Sequence, residues 1–175
     1  NGRNLTFLAR EFGMCGIGYD ISQEAVALAK RASAGMPLVY EVRSIAGPIP
    51  LPDASQTIAL DMMASHFLRA EEREALRKEI FRVLRPGGWL FYKTFLLEED
   101  LHAIRLLKEH PADEKGSYIH PEIGVLEHVS TQDEVEETLG ELFTVHKVYK
   151  SHRHMLRGEA FKRRSISAYA QRPLF

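Results

Sequence analysis

Two residues near the start of the chain have the types and spacing needed to hold a nucleoside. Gly2 ends a short polar segment that runs straight into a helical pattern, and Asp20 stands 18 positions later at the end of a short apolar run. In an open parallel sheet a glycine loop lets the backbone close on a ligand, and an acid roughly 20 residues on, at the carboxyl end of the next strand, accepts hydrogen bonds from ribose hydroxyls. Taken singly, Gly2 is as well an ordinary turn and Asp20 a surface strand end. A second group has the chemistry for proton transfer: Asp61 at the end of another apolar run, then His66, and further on His120, Glu127 and His128, with Tyr118 as a pocket-lining residue. A histidine or carboxylate in reach of a hydroxyl or amine can remove its proton during group transfer. The plainer role for each is a solvated or capping side chain, and His110 and His146 suit that role better still.

Positioning these residues takes a regular alternation of elements. Leu5, Leu8, Ala9 and Phe12 recur at helical spacing, with Gly13 where a helix ends. Gly16 to Asp20 reads as a buried strand, and Ser22 as the cap of a helix that turns Ala25, Leu28, Ala29 and Ala32 to one face. Leu38 to Val42 has strand character, residues 47–53 form a Pro-rich loop, and Thr57 to Asp61 resumes as a strand. A charged helix over residues 70–84 points Leu76, Ile80, Val83 and Leu84 inward and stops at the turn Arg85-Pro86-Gly87-Gly88; Trp89 to Phe95 is the next strand. Leu101, Ile104 and Leu107 mark another helix, residues 110–125 are irregular, and Thr131 with Glu134 forms a capping box for a helix carrying Val135, Leu139 and Leu142. Residues 143–149 and 166–170 close the chain as strands with no helix-length pattern between them. The order predicts a mainly parallel sheet with helices on both faces and an antiparallel strand pair at the end.

Composition narrows the function classes. With 23 Lys plus Arg against 24 Asp plus Glu, the net charge of -1 gives no global attraction to nucleic acid or an anionic membrane. The one cysteine, Cys15, cannot form an internal disulfide, and the 8 histidines fall in no ligand-like spacing, so no metal site is expected and a cytoplasmic setting fits. No apolar run approaches the roughly 20 residues of a membrane span. Locally, residues 127–141 hold six acids and no Lys or Arg, whereas residues 151–164 hold Arg153, Arg157, Lys162, Arg163 and Arg164 against Glu159. The basic run reads as a solvated hairpin between the last two strands, or as a clamp for a carboxylate, a phosphate or an RNA backbone. With Phe161 the one aromatic among them, single-strand binding gains little support.

Several segments together resemble class I S-adenosylmethionine-dependent methyltransferases: Asn1-Gly2-Arg3-Asn4 with Leu8-Ala9, Gly18-Tyr19-Asp20-Ile21-Ser22, Leu51-Pro52-Asp53, Ser65-His66-Phe67-Leu68 and, above all, Val83-Leu84-Arg85-Pro86-Gly87-Gly88-Trp89-Leu90. The resemblance covers roughly residues 1–95, and the Asn-Gly-Arg-Asn segment is similar to small-molecule enzymes of the tellurite-resistance and thiopurine type. It implies a Rossmann-like α/β domain over residues 1–175 that binds S-adenosylmethionine. Asn1 and Gly2 would then face the methionine part of the cofactor, Asp20 both ribose hydroxyls, and Ile21 the adenine. Where relatives often carry an acid for the adenine amine, this chain has Ser44-Ile45, so a serine or backbone contact must substitute. Thr57 stands where an aspartate commonly opens the strand, leaving Asp61, with Met62, at the carboxyl end beside the cofactor. Asp61, His66 and His128 are the candidate catalytic residues, and Lys93 could reach an anionic substrate.

The resemblance also implies a first strand between those containing Tyr19 and Leu60, so further N-terminal residues are expected. A small-molecule acceptor, methylated on O, N or S by a monomer or homodimer, is the leading reading. A nicotinamide-dependent oxidoreductase is its rival, because the glycine loop and ribose acid serve both cofactors. A non-catalytic cofactor-binding or RNA-binding module is the third.

Overall fold

The computed structural model describes residues 2–151, 155–156, 159–160 and 163–175, with the backbone alone for 155–156 and 159–160. The chain divides into two compact units, Asn1–Gly47 and Pro48–Phe175. Among the described residues no helix is long and apolar enough to cross a membrane.

The first unit is built from α1 (Arg3–Phe12), β1 (Gly16–Asp20), α2 (Gln23–Ala32) and β2 (Leu38–Val42). The two strands pair in parallel, Gly16 opposite Leu38 and Asp20 opposite Val42. Local chemistry sets the helix ends. Gly13 takes φ 65°, and its N–H donates to the Ala9 carbonyl at 3.0 Å; the Ser22 hydroxyl accepts from the Ala25 N–H at 3.1 Å. Val26, Ala29 and Tyr40 form the core, with Leu5 and Leu38 packed against it. This shifts the inward face of α2 from the expected one, since Val26 is buried while Leu28 is exposed. In an alanine-rich helix the spacing defines no unique stripe, and the Tyr40 ring selects the face with small Ala29 and branched Val26.

The second unit contains β3 (Gln56–Met62), a 3₁₀ turn (Ser65–Phe67), α3 (Ala70–Val83), β4 (Leu84–Phe95), α4 (Leu101–Glu109), β5 (Ser117–Ile119), β6 (Leu126–His128), α5 (Gln132–Gly140), β7 (Thr144–Lys150), β8 (Met155–Leu156), β9 (Glu159–Ala160) and β10 (Ser165–Gln171). Its main sheet runs β3-β4-β10-β7. Strands β3 and β4 are parallel, whereas β10 is antiparallel to both of its neighbours. The antiparallel strand pair expected at the chain end is β7 with β10, and this sheet is mixed. The chain end returns to the sheet interior, where Ile166, Ala168 and Ala170 are wholly buried.

Three other details differ from expectation. The Arg85-Pro86-Gly87-Gly88 segment belongs to β4 as an irregular strand entry, not a closed turn: the register against β3 passes from Gln56–Leu84 to Ile58–Trp89 across it. A Cβ on Gly88 would lie 2.8 Å from the Arg85 carbonyl oxygen, so the close approach needs glycine. In α4 the buried residues are Ala103 and Leu106, while Leu101 and Ile104 face outward. The stretch 110–125 is less irregular than it reads, because Ser117–Ile119 pairs antiparallel with Leu126–His128. The Pro-rich loop is tied down by Arg82, whose guanidinium donates to the carbonyls of Ile49 and Leu51, each at 2.8 Å.

Candidate functional site

In the first unit Gly2 and Asp20, the residues expected to hold a ligand, stand at the start of α1 and the end of β1. Gly2 adopts φ 68° immediately before α1, and its carbonyl accepts from the Tyr40 hydroxyl at 3.2 Å. A Cβ there would lie 2.5 Å from that hydroxyl oxygen and 2.9 Å from the Ala29 Cβ. The position thus combines a left-handed backbone with a close approach that only glycine allows. Gly2→Ala is accordingly expected to destabilise this unit by roughly 1–2 kcal/mol from φ strain and displacement of Tyr40; urea unfolding monitored by tyrosine fluorescence checks it, an unchanged midpoint counting against it.

Asp20 is exposed at the end of β1. Its Oδ1 accepts from the Ser22 N–H at 2.9 Å, which orients the carboxylate. Its backbone carbonyl accepts from the Arg43 N–H at 2.9 Å, which leads the chain toward Ser44 and Ile45. Ile21 is 75% exposed beside Asp20. The Ser44 hydroxyl accepts from the Ala46 N–H at 3.1 Å, so it is engaged in its own turn. Asn1 lies outside the described residues.

In the second unit a polar cluster gathers around the ends of β3 and β4 and the β5-β6 hairpin. Asp61 is buried, and its Oδ1 accepts from the Ser65 N–H at 3.1 Å. Burial pushes its carboxyl up, against the lowering pull of hydrogen bonds from Ser65 and Ala64. Opposite it on β4 stands Tyr92, whose phenol is pushed up to about 12 by burial and by the neighbouring Asp61 charge. Asp61, expected as a cleft acid, also holds the turn that follows β3. Met62, the last residue of β3, is partly exposed, and Met63 after it takes φ 65°.

That turn presents His66, which is only 3% exposed, with neither ring nitrogen making a hydrogen bond among the described residues. Its ring stacks on Phe67 at 4.0 Å and meets Phe95 edge-on at 4.9 Å. Burial lowers its pKa to about 4, with Arg163 and His128 adding to the effect and Glu127 opposing it. His66 is therefore a neutral imidazole at pH 7, able to accept or donate one hydrogen bond at each nitrogen.

His128 has no such freedom. Its Nδ1 lies 2.9 Å from the Ser117 hydroxyl and its Nε2 lies 2.7 Å from Glu134. The Ser117 hydroxyl donates to Glu114 at 2.6 Å, and Glu114 in turn takes hydrogen bonds from Arg73 at 2.8 Å and from the Ala70 N–H at 2.9 Å. With both ring nitrogens engaged, His128, expected as a candidate proton acceptor, ties the hairpin to α3 and α5. The same contact explains why Thr131 and Glu134 form half a capping box: Thr131 accepts from the Glu134 N–H at 3.1 Å, while the Glu134 carboxylate goes to His128.

The sequence reading missed the strongest feature of this unit. Arg163 and Arg164, assigned above to a solvated hairpin, turn inward. Arg163 Nε donates to Asp100 at 3.0 Å, and its Nη1 donates to the Tyr118 hydroxyl at 2.9 Å and to Glu127 at 3.5 Å. Its guanidinium carbon lies 3.9 Å from the centre of the Phe95 ring. Tyr118 is wholly buried and donates to Glu127. Arg164 donates to Glu99 at 2.8 Å, and its N–H reaches Asp100 at 3.0 Å. The available signal was the position of the pair, directly before a strand that reads as buried. Arg153, Arg157, Lys162 and Phe161 lie outside the described residues. Of the other histidines, His120 accepts from the Glu122 N–H at 3.3 Å and His146 stacks on Trp89 at 4.9 Å, and both remain solvent-facing roles.

The sequence profile of the methyltransferase domain family matches residues 1–92. No curated protein sequence matches the chain. Among solved structures, an S-adenosylmethionine-dependent methyltransferase from Methanosarcina mazei is 24% identical, with a TM-score of 0.73 over 98% of this chain and 87% of that one. The 1,6-didemethyltoxoflavin N1-methyltransferase of Burkholderia thailandensis, solved with 1,6-didemethyltoxoflavin and S-adenosylhomocysteine, is 16% identical, with a TM-score of 0.69 over 98% of this chain and 67% of that one. The N-methyltransferase NodS of Bradyrhizobium japonicum, solved with S-adenosylhomocysteine, is 13% identical, with a TM-score of 0.68 over 98% and 73%. Likeness at these identities concerns the fold, but the profile match spans more than half of the chain and includes Gly2, Asp20, Asp61 and His66. The chain belongs to the methyltransferase domain family.

Proposed function

We propose that this protein binds S-adenosylmethionine through its first unit and transfers the methyl group to an O, N or S atom of a small molecule. The observation that carries the reading is the pairing of Gly2, where no side chain fits, with the exposed and oriented carboxylate of Asp20 at the end of β1. When bound, the cofactor supplies an electrophilic methyl on a sulfonium, so the protein needs chiefly to align an acceptor with it. Asp20 accepts hydrogen bonds from the ribose hydroxyls, and Gly2 lets the backbone at the start of α1 close on the methionine portion. Ile21 offers an apolar face to the adenine. With the Ser44 hydroxyl engaged in its own turn, backbone groups of Ser44 and Ile45 supply the adenine contact.

On the acceptor side, His66 is the group suited to take a hydrogen bond from an acceptor O–H or N–H, because its nitrogens are uncommitted and it is neutral. Asp61 and His128 position it by holding the turn and the hairpin. The inward course of Arg163 and Arg164 removes them from any phosphate clamp, which weighs against RNA as the partner. Calorimetric titration of the protein with S-adenosylhomocysteine, beside NADH, tests the cofactor. Binding of the homocysteine compound alone is expected, weakened roughly 10–100-fold in Asp20→Ala through loss of a charged hydrogen-bond acceptor. Binding of NADH instead would establish the oxidoreductase.

A further inference from the structure

Among the described residues of the second unit, the buried side-chain atoms without a hydrogen-bond partner include Arg77 Nε, Thr94 Oγ1, Glu98 Oε2 and Arg164 Nε, and two further groups that share one aromatic ring. His66 is almost fully buried with both ring nitrogens unpartnered, and Arg163 Nη2 is buried without a hydrogen-bond partner, among the described residues. Each leans on the same ring, Phe95, with His66 edge-on at 4.9 Å and the Arg163 guanidinium carbon at 3.9 Å. A buried donor left unsatisfied is costly, so groups of this kind mark a place where a ligand or water completes the bonding.

The charge around them limits what that ligand is. Arg163 already faces two carboxylates, Asp100 and Glu127, and the neighbouring Arg164 is matched by Glu99. Among the described residues the carboxylates outnumber the guanidinium groups, and His66 is neutral. Another anion would enter a cluster whose positive charge is already spent, in a setting where water screens poorly. What remains open is a hydrogen bond from Arg163 Nη2 to a neutral oxygen and one between an imidazole nitrogen of His66 and an adjacent N–H or O–H. The aromatic surroundings of Phe67, 4.0 Å from His66, and Phe95 suit a flat partner.

Resting on the methyl-transfer reading above, we infer that the acceptor is a neutral, planar molecule with a lactam-type edge: its carbonyl oxygen accepts from Arg163 Nη2 and its neighbouring N–H or enol O–H hydrogen-bonds to His66. Arg163 and His66 thereby determine specificity, selecting this edge over carboxylates and over amines.

The full chain is titrated with 2-pyridone, benzoate and benzylamine by ligand-observed NMR, with and without saturating S-adenosylhomocysteine. The pyridone is expected to bind and the other two to fail. His66→Phe, which keeps the stacking and removes only the ring nitrogens, is expected to weaken pyridone binding roughly tenfold, as is Arg163→Met. Should Arg163→Met not fold, His66→Phe decides alone. Benzoate or benzylamine binding as tightly as the pyridone, pyridone binding unchanged in His66→Phe, or no pyridone binding at all would overturn the inference. Pyridone binding retained in a protein that takes up no S-adenosylhomocysteine would sink the methyl-transfer reading and leave this binding edge standing.

Discussion

Asp100→Ala is expected to lower the melting temperature by roughly 6–20 °C, the equivalent of about 3–5 kcal/mol for breaking a buried, hydrogen-bonded ion pair in a chain of this size. Asp100 is 2% exposed, and three donors converge on it. Its Oδ1 caps α4 by accepting from the Ala103 N–H at 2.9 Å; its Oδ2 accepts from Arg163 Nε and the Arg164 N–H, both at 3.0 Å. One side chain therefore joins the start of α4 to the segment entering β10. Alanine would remove the helix cap, worth about 1 kcal/mol by itself. The larger loss comes from Arg163, whose charge would stay buried with, among the described residues, the longer contact to Glu127 as its remaining carboxylate.

The Asn variant separates these two contributions. Asparagine can keep an oxygen toward Ala103 and so preserve the cap, but its amide would face the Arg163 and Arg164 donors with a donor. Asp100→Asn is expected to be nearly as unstable as Asp100→Ala. Differential scanning fluorimetry reads both. If the Asn variant melts within about 2 °C of the parent, the ion pair contributes little and the cap explains whatever the Ala variant loses.

The contrast between Asp100 and Asp20 shows what the sequence made legible. Asp20 follows an apolar run at a fixed distance from a glycine, a pattern whose meaning is local, and its strand, β1, has the bounds expected from the sequence. The same holds for β2 and for the helix stop at Gly13. Asp100 acts through residues 63 and 64 positions away, and nothing near it in the chain announces Arg163 as its partner. Histidines show the same division. His66 and His128 each follow an apolar run, but Ser117 and Glu134 occupy both nitrogens of His128 while those of His66 have no hydrogen-bond partner among the described residues. Side-chain pairing across elements decides between them, and periodicity carries no information on it. The inward face of α2 differs from the expected one for a related reason: small alanines surround this helix, and the partner surface, Tyr40, chooses the face, as Tyr118 with Val129 does for α4. The hairpin β5-β6 was invisible because each of its strands is three residues long, too short to show alternation.

As the pH falls from about 6.5 to 4 the protein is expected to lose about 3 kcal/mol of stability through His66 alone. The native ring stays neutral down to about 4, because burial, with help from Arg163 and His128 and against Glu127, disfavours its charged form. The unfolded chain takes up that proton near the ordinary value of 6.5. Acid therefore favours unfolding: the stability is complete above 6.5, declines by about 1.4 kcal/mol per pH unit across the window, and stops changing below 4. Carboxylates whose values are lowered act in a lower range. Glu114, for instance, is held at about 2 by Ser117, the Ala70 N–H and Arg73, which together outweigh the opposing effect of burial, so its share is lost between 4.5 and 2. His66→Phe isolates the histidine, and its urea-unfolding free energy between pH 7 and pH 4.5 is expected to fall with a slope one proton shallower than the parent's. Equal slopes would mean that His66 titrates normally and is hydrated in the folded state. The same neutrality bears on turnover. An imidazole that does not charge between pH 6 and 8 offers the acceptor an unchanged hydrogen-bonding partner over that range, so His66 puts no break near 6.5 in the pH dependence of methyl transfer, and a break there that vanished in His66→Phe would show the ring ionising during the reaction.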